Sequence, residues 1–253
     1  MANWFTEVGN VAWGDLMFMK HNLFRVLVSS LMSPLLYLLA FGYGLGGDVN
    51  MTYNGESIKY VTFVIPGIAA LSSMNSSFSS TATRLNVQRL YYGCFDEMAM
   101  APLRPTAIAV GKSMLGVIRG LLSCTIIFVI GFISKADLEV TVLLIVSILL
   151  SCFMFSALGV TAAMLAKSHQ SMSVFNSLVI LPMTFLCGTF FNLDSLPDVF
   201  HYILLAMPLS HSSLTIRASS LGAAFPVGSF VVMLAFAVIF QGINVFLLKT
   251  RRV

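Results

Sequence analysis

The residues that could carry chemistry are few, and their spacing excludes most of it. Thr106–Ser113 reads TAIAVGKS, close to the GxxxxGK[ST] spacing. In such a loop the glycines let backbone N–H groups wrap a phosphate while the lysine reaches the next one. Here Thr106 stands where the first glycine belongs, and the stretch opens an apolar helix instead of following a strand. It is no nucleotide loop, and any ATP must be hydrolysed by another chain. His21, His169, His201 and His211 form no HExxH pair or comparable pattern, so no metal site is expected. Cys94, Cys124, Cys152 and Cys187 show no CxxC or Cys/His spacing, and three of them sit in apolar runs as inert small hydrophobes. No nucleophile is paired with a base, so the chain is not expected to be an enzyme.

Two cations and one polar helix remain. Lys112 and Arg119 are seven residues apart, hence on one helical face. With the cytosolic interface near Lys112, Arg119 lies about 10 Å further along the helix. Snorkelling toward the cytosol accounts for both charges. The alternative is contact with an anionic headgroup or substrate, or with a partner subunit. Between Ser72 and Thr83 one apolar helix carries Ser72, Ser73, Asn75, Ser76, Ser77, Ser79, Ser80, Thr81 and Thr83, with Ser72, Ser76, Ser79 and Thr83 on one stripe. Such a stripe reads as helix–helix glue or as the wall of a path for a polar or amphiphilic substrate, and a dimer seam would allow both.

The elements that hold these residues must be membrane helices. Hydrophobic residues make up 58% of the 253 positions, charged residues 9%, and mean hydropathy is +0.91. A soluble domain carries roughly a quarter charged residues, so this surface suits lipid, and the fold class is an all-α membrane protein. Six stretches have the ~20 apolar residues of a span: Leu23–Leu45, Tyr60–Thr83, Thr106–Ile133, Val140–Ala166, Met172–Phe191 and Val227–Leu248. Basic residues alternate across the seams. Lys20, Arg25, Arg84, Arg89, Arg104, Lys167, Lys249, Arg251 and Arg252 fall on one side; Lys59, Lys135 and Arg217 fall on the other. The positive-inside rule places both termini and the Arg84–Pro105 loop in the cytoplasm. The net charge of +4 reads as this orientation and not as affinity for nucleic acid.

Three connecting segments have their own character. Residues 1–22 mix Trp4, Glu7, Trp13 and Asp15 among apolar positions, lack the layout of a cleavable leader, and read as an interfacial amphipathic helix ahead of the six-span domain at 23–253. Between spans five and six, Asn192–Pro226 is external yet includes the apolar run Val199–Met207, broken by Pro197 and Pro208. That pattern suits re-entrant helices that dip into the outer leaflet. In the cytosolic loop, Leu90–Met100 reads as a short amphipathic helix ended by Pro102, with Asp96 and Glu97 beside Met98 and Met100. Charge next to soft apolar surface suits a protein partner.

Four stretches, in this order, carry a resemblance: SPLLYLLAFGYGLG (Ser33–Gly46), YVTFVIPGIAALSSMNSSF (Tyr60–Phe78), FDEMAMAPLRP (Phe95–Pro105) and GTFFNLDSLP…MPLSH…R (Gly188–Arg217). Together they resemble the ABC-2 type membrane subunits of ATP-binding-cassette exporters, particularly the nodulation-type lipo-oligosaccharide and daunorubicin-resistance permeases. Asn192 departs from the proline that relatives often have there. The resemblance implies a permease subunit in the cytoplasmic (inner) membrane that works as a homodimer among membrane lipids. Two copies of an ABC ATPase would dock on it; ATP and Mg would bind those chains, with no cofactor on this one. It implies that Phe95–Leu103 is a coupling helix, with Asp96 and Glu97 as polar contacts and Phe95 and Met98 as apolar ones. It also implies that an amphiphile (lipid-linked saccharide, lipid or hydrophobic drug) moves from the inner leaflet outward between the two copies. Tyr37, Tyr43, Ser72, Asn75, Ser76, Phe175 and Asn176 are the candidates for lining that path. An ATP-independent transporter or channel, or a non-transporting scaffold or sensor, are the alternatives, and the first would need buried ionisable residues at mid-membrane.

Overall fold

The computed structural model describes residues 3–45, 50–53, 56–134, 136–186 and 204–250. Its helices in chain order are α1 (Trp4–His21), α2 (Leu23–Tyr37, continued by a π-helical turn over Leu38–Leu45), α3 (Tyr60–Leu90), α4 (Cys94–Met100), α5 (Pro105–Ile133) and α6 (Val142–Leu165). Then come α7 (His169–Phe175), a second π-helical turn (Asn176–Ile180), α8 (Leu181–Leu186), α9 (Pro208–Ser220) and α10 (Val227–Thr250). A small antiparallel hairpin pairs β1 (Asn50–Tyr53) with β2 (Glu56–Lys59), Asn50 facing Lys59 and Tyr53 facing Glu56.

Five helices are long and apolar enough to cross a bilayer: Leu23–Ala40, α3, α5, α6 and α10. They match five of the six expected spans closely. The expected fifth span, Met172–Phe191, falls on α7, the π-helical turn and α8, which follow one another over residues 169–186; its end lies outside the described residues. Its start comes earlier than expected because Ser168 and Ser171 cap it. The Ser168 hydroxyl accepts from the Ser171 N–H at 3.1 Å, and the Ser171 hydroxyl accepts from the Ser168 N–H at 3.0 Å. Each satisfies an N–H that the first turn leaves without a partner.

α3 is the central post. Its span is the most buried of the five, and α5, α6 and α9 all pack on it. At 31 residues it runs about 46 Å, longer than the ~30 Å hydrocarbon core, so its last turns leave the membrane. There Gly93 adopts a left-handed φ of 65°, which a glycine takes without strain, and turns the chain into α4. Close packing around α3 depends on small residues. A Cβ on Gly159 would come within 2.8 Å of the Phe78 carbonyl oxygen, and Gly116 and Gly120 press equally tightly on α3.

α9 has 13 residues, too few to span, and nearly all are buried against α3, α6 and α10. Arg217 on this helix is fully buried, its guanidinium 3.9 Å from the centre of the Phe63 ring. The resemblance implies external re-entrant helices at about Leu196–Met207 and Ser210–Ala218: the second lies within α9, and the first is outside the described residues up to residue 203.

Candidate functional site

The polar helix α3 divides its hydroxyls between two faces. One face is glue: Ser73 and Ser151 share a hydrogen bond at 2.6 Å, and Thr81 and Ser156 share one at 2.7 Å, both to α6. The other face is open. Ser72, Asn75, Ser76 and Ser79 line a cavity of about 280 Å³, with Ser29, Ser30 and Tyr37 from α2, Arg119 from α5, and Asn176, Leu181 and Thr184 from the helix over 169–186. A second cavity, of about 190 Å³, lies next to it along α3 and shares Ser79 and Asn176. It adds Phe78, Thr83 and His169 to the wall. The stripe expected at helical spacing is therefore a cleft wall, while the adjoining stripe, one residue on, does the gluing.

Five of the seven expected lining residues meet in the first cavity: Tyr37, Ser72, Asn75, Ser76 and Asn176. Phe175 does not line it; its ring stacks, centroids 5.8 Å apart, on Phe78, which lines the second cavity. The Tyr43 side chain lies outside the described residues. Arg119 enters from α5 and donates from Nε to the Ser30 hydroxyl at 3.2 Å and from Nη2 to the Ser29 hydroxyl at 2.6 Å. These bonds orient the guanidinium across the cleft and tie α5 to α2.

Lys112 behaves differently, which corrects both readings given for it, snorkelling and the alternative contact with a headgroup. It is only 7% exposed, and its Nζ donates to Asp15 Oδ2 and to Gln88 Oε1, each at 2.8 Å. The Asp15 carboxylate, 2% exposed, also accepts from Gln88 Nε2 at 2.7 Å and from Arg84 Nε at 3.1 Å. Lys112 is thus spent inside a buried ion-pair network that joins α1, α3 and α5. A buried lysine needs such a partner, because an unpaired charge at that depth would cost several kcal/mol.

The same network redefines α1. Its buried face carries Glu7, Val11, Ala12 and Asp15, while Phe5, Trp13, Met17 and Phe18 point outward. Glu7 accepts from the Arg104 N–H at 3.1 Å, where its negative charge faces the positive end of α5. The helix is held to the protein by charge and offers its apolar side to its surroundings. Arg89, near the end of α3, donates to the Ala163 and Met164 carbonyls. It thereby caps the C-terminus of α6.

α4 sits beneath this assembly. Phe95 is 1% exposed and packs in one cluster with Val11, Leu85, Ile108, Met164 and Leu248. That burial corrects the expectation that Phe95 meets a partner: its ring anchors α4 to the bundle. Met98 is half-buried against the same cluster. Asp96, Glu97 and Met100 point outward, Met100 being 79% exposed, beside Tyr91 and Tyr92.

The description ABC-2 type transporter belongs to the protein family whose sequence pattern matches residues 6–221. This chain belongs to that family. It is 30% identical over 199 residues to Nodulation protein J of Bradyrhizobium diazoefficiens, covering 76% of this chain and 72% of that protein. Nodulation protein J of Rhizobium meliloti is 28% identical over 206 residues, 78% of this chain and 74% of the relative. The inner membrane transport permease YadH of Escherichia coli K12 is 25% identical over 182 residues, 70% of each chain. Together with the five apolar spanning helices, these likenesses make the chain a multi-pass membrane transport subunit of ABC-2 type.

Two groups were missed by sequence reasoning. The buried acids Glu7 and Asp15 were noticed only as polar interruptions of an amphipathic helix. Asn244, on α10, is fully buried, accepts from the Thr161 hydroxyl at 2.7 Å and donates to the Ala157 carbonyl at 2.9 Å. The two amides of this span, Gln241 and Asn244, were the available signal, since an amide there needs partners on a neighbouring helix.

Proposed function

We propose that this chain is the membrane subunit of an ATP-driven exporter that moves an amphiphile from the inner leaflet outward. Six spans cross the inner membrane, both termini are cytoplasmic, and two copies face each other across the cleft formed by α2, α3 and the helix over 169–186. A separate ABC ATPase, in two copies, binds ATP and Mg and docks on the exposed face of α4 through Asp96, Glu97 and the neighbouring Met98–Met100 surface.

The observation that carries this reading is the construction of α4. On its inner face Phe95 is buried in one cluster with residues of α1, α3, α5, α6 and α10, while its outer face offers two acids and an exposed methionine. A rigid lever with a charged, partner-ready surface is what coupling to a second protein requires, since force is transmitted only through contacts that differ between two states. The amphiphile follows from the cleft, whose wall combines hydroxyls and amides with Leu71, Ile180 and Leu181.

The test is reconstitution of this chain with its partner ABC ATPase. Asp96→Lys combined with Glu97→Lys should abolish stimulation of ATP hydrolysis by the permease while leaving the chain folded. Stimulation at the normal level would overturn the role of α4. Transport that continues without the ATPase would favour an ATP-independent carrier.

A further inference from the structure

Among the described residues Arg119 is the one cation lining the cleft, and no carboxylate pairs with it. Among the described residues the ion pairs are Arg84–Asp15, Arg104–Glu7 and Lys112–Asp15. Arg119 meets only the neutral hydroxyls of Ser29 and Ser30. It lies seven residues beyond the buried Lys112 on α5, about 10 Å deeper along the helix. A charge at that depth is expensive unless something compensates it.

The six spans of a second copy carry no carboxylate to offer in return. All ten acids are Glu7, Asp15, Asp48, Glu56, Asp96, Glu97, Asp137, Glu139, Asp194 and Asp198, and each lies outside the six spans read from the sequence. Pairing across a seam at the depth of Arg119 would therefore find no carboxylate on the other side. The compensating anion has to arrive with a ligand.

The wall is equipped to hold one. Asn75, Ser76, Ser79 and Asn176 line the same cavity and form no side-chain hydrogen bond among the described residues. Ser72 and Thr184, in contrast, are occupied by the carbonyls of Ile68 and Ile180, one turn back on their own helices. Four open polar side chains and a guanidinium converge on about 280 Å³. That is the low end of ligand-pocket size, enough for a headgroup and too small for a whole amphiphile. Guanidinium favours oxyanions because its fork of N–H donors matches two of their oxygens.

We propose that this cavity is a binding site for the anionic headgroup of an amphiphile, a phosphate ester or chemically similar oxyanion, with Arg119 as its charge partner. The substrate class is then an anionic amphiphile, an extension that rests on the export reading above. The headgroup could belong to a transported molecule or to a resident phospholipid, and both supply the same chemistry.

The test uses the full chain in a neutral detergent, without the ATPase, so that failure of coupling cannot mask the result. Binding of dodecyl phosphate is followed by native mass spectrometry, with dodecanol as the neutral control. Wild-type protein should bind dodecyl phosphate, Arg119→Gln at least about 10-fold more weakly, and Arg119→Lys in between; dodecanol binding should not change. Ser76→Trp keeps the guanidinium but fills the cavity, and should lose dodecyl phosphate as well. Each variant is checked by its thermal transition, so that misfolding is separated from loss of the site. Phosphatidylglycerol that displaces dodecyl phosphate at equal concentration assigns the site to resident lipid; displacement only at large excess assigns it to a transported molecule. Inorganic phosphate competing as well as dodecyl phosphate would overturn the headgroup assignment, and unchanged binding in Arg119→Gln would overturn the site itself.

Discussion

Replacing Asp15 with asparagine should release α1 from the bundle without unfolding the rest. The carboxylate is buried and holds Lys112 Nζ at 2.8 Å, Gln88 Nε2 at 2.7 Å and Arg84 Nε at 3.1 Å. Removing one partner of a buried ion pair costs about 3–5 kcal/mol, mostly the penalty of the charge left behind. Two features reduce that here. Arg84 has 22% of its side chain exposed and can turn to water, so its share is about 0–1 kcal/mol. The asparagine oxygen can still accept from Gln88. The expected loss is therefore about 2–4 kcal/mol, carried mainly by Lys112, which keeps only the neutral Gln88 Oε1. Hydrogen–deuterium exchange across α1 should accelerate about 30-fold or more, while α6 and α9 keep their protection. Adding Lys112→Met removes the orphaned ammonium and should restore most of the protection. Exchange in α1 within about threefold of wild type, or a double variant no better than Asp15→Asn, would refute the idea that charge holds α1 in place.

Other perturbations should act through packing. Gly159→Ala drives a methyl to within 2.8 Å of the Phe78 carbonyl oxygen, so α3 and α6 must separate; a loss of about 1–3 kcal/mol should appear in thermal melts in detergent. Phe95→Ala empties the anchor of α4 and should cost about 3–5 kcal/mol, whereas the doubly substituted Asp96→Lys, Glu97→Lys protein should melt within about 0.5 kcal/mol of wild type. Asn244→Leu leaves the Thr161 hydroxyl and the Ala157 carbonyl without their partner on α10. The Thr161 hydroxyl can still reach the Ala157 carbonyl on its own helix, at 3.1 Å, so the same assay should show only about 1 kcal/mol.

What the sequence made legible follows from the solvent. In lipid every backbone polar group has to be satisfied within its own helix, so apolar length alone located the spans, and α5 and α6 begin and end within two residues of expectation. The stripe through Ser72, Ser76, Ser79 and Thr83 was legible because helical spacing is a local property. Deciding that it lines a cleft while Ser73 and Thr81 glue was not, since that depends on where α6 packs. The partner of Lys112 was hidden for a related reason: Asp15 is 97 residues away in sequence. The signal existed, because a lysine expected near the membrane surface and an acid on the preceding interfacial helix are natural partners. Hydrophobic patterning alone could not pair them: it marked α1 as amphipathic without showing that its acids, and not its aromatic residues, face the bundle.

The position of the anchors also limits what a push on α4 can move. Phe95 belongs to one buried cluster with Val11, Leu85, Ile108, Met164 and Leu248, residues drawn from α1, α3, α5, α6 and α10. The Asp15 network and the Arg89 cap bind the same ends together. α2 and the helix over 169–186, which flank the cleft, contribute no residue to that cluster. If α4 receives force as proposed, the clustered helices shift as one block, and the cleft widens where α2 and residues 169–186 are left behind. Cysteines introduced as Tyr37→Cys and Leu181→Cys stand on the wall of one cavity. Bridged by a short bismaleimide, in a Cys94→Ser background because native Cys94 is exposed, they should lock the cleft. Transport should stop while the docked ATPase still hydrolyses ATP; a bridged protein that transports at the normal rate would mean the cleft does not widen along this line.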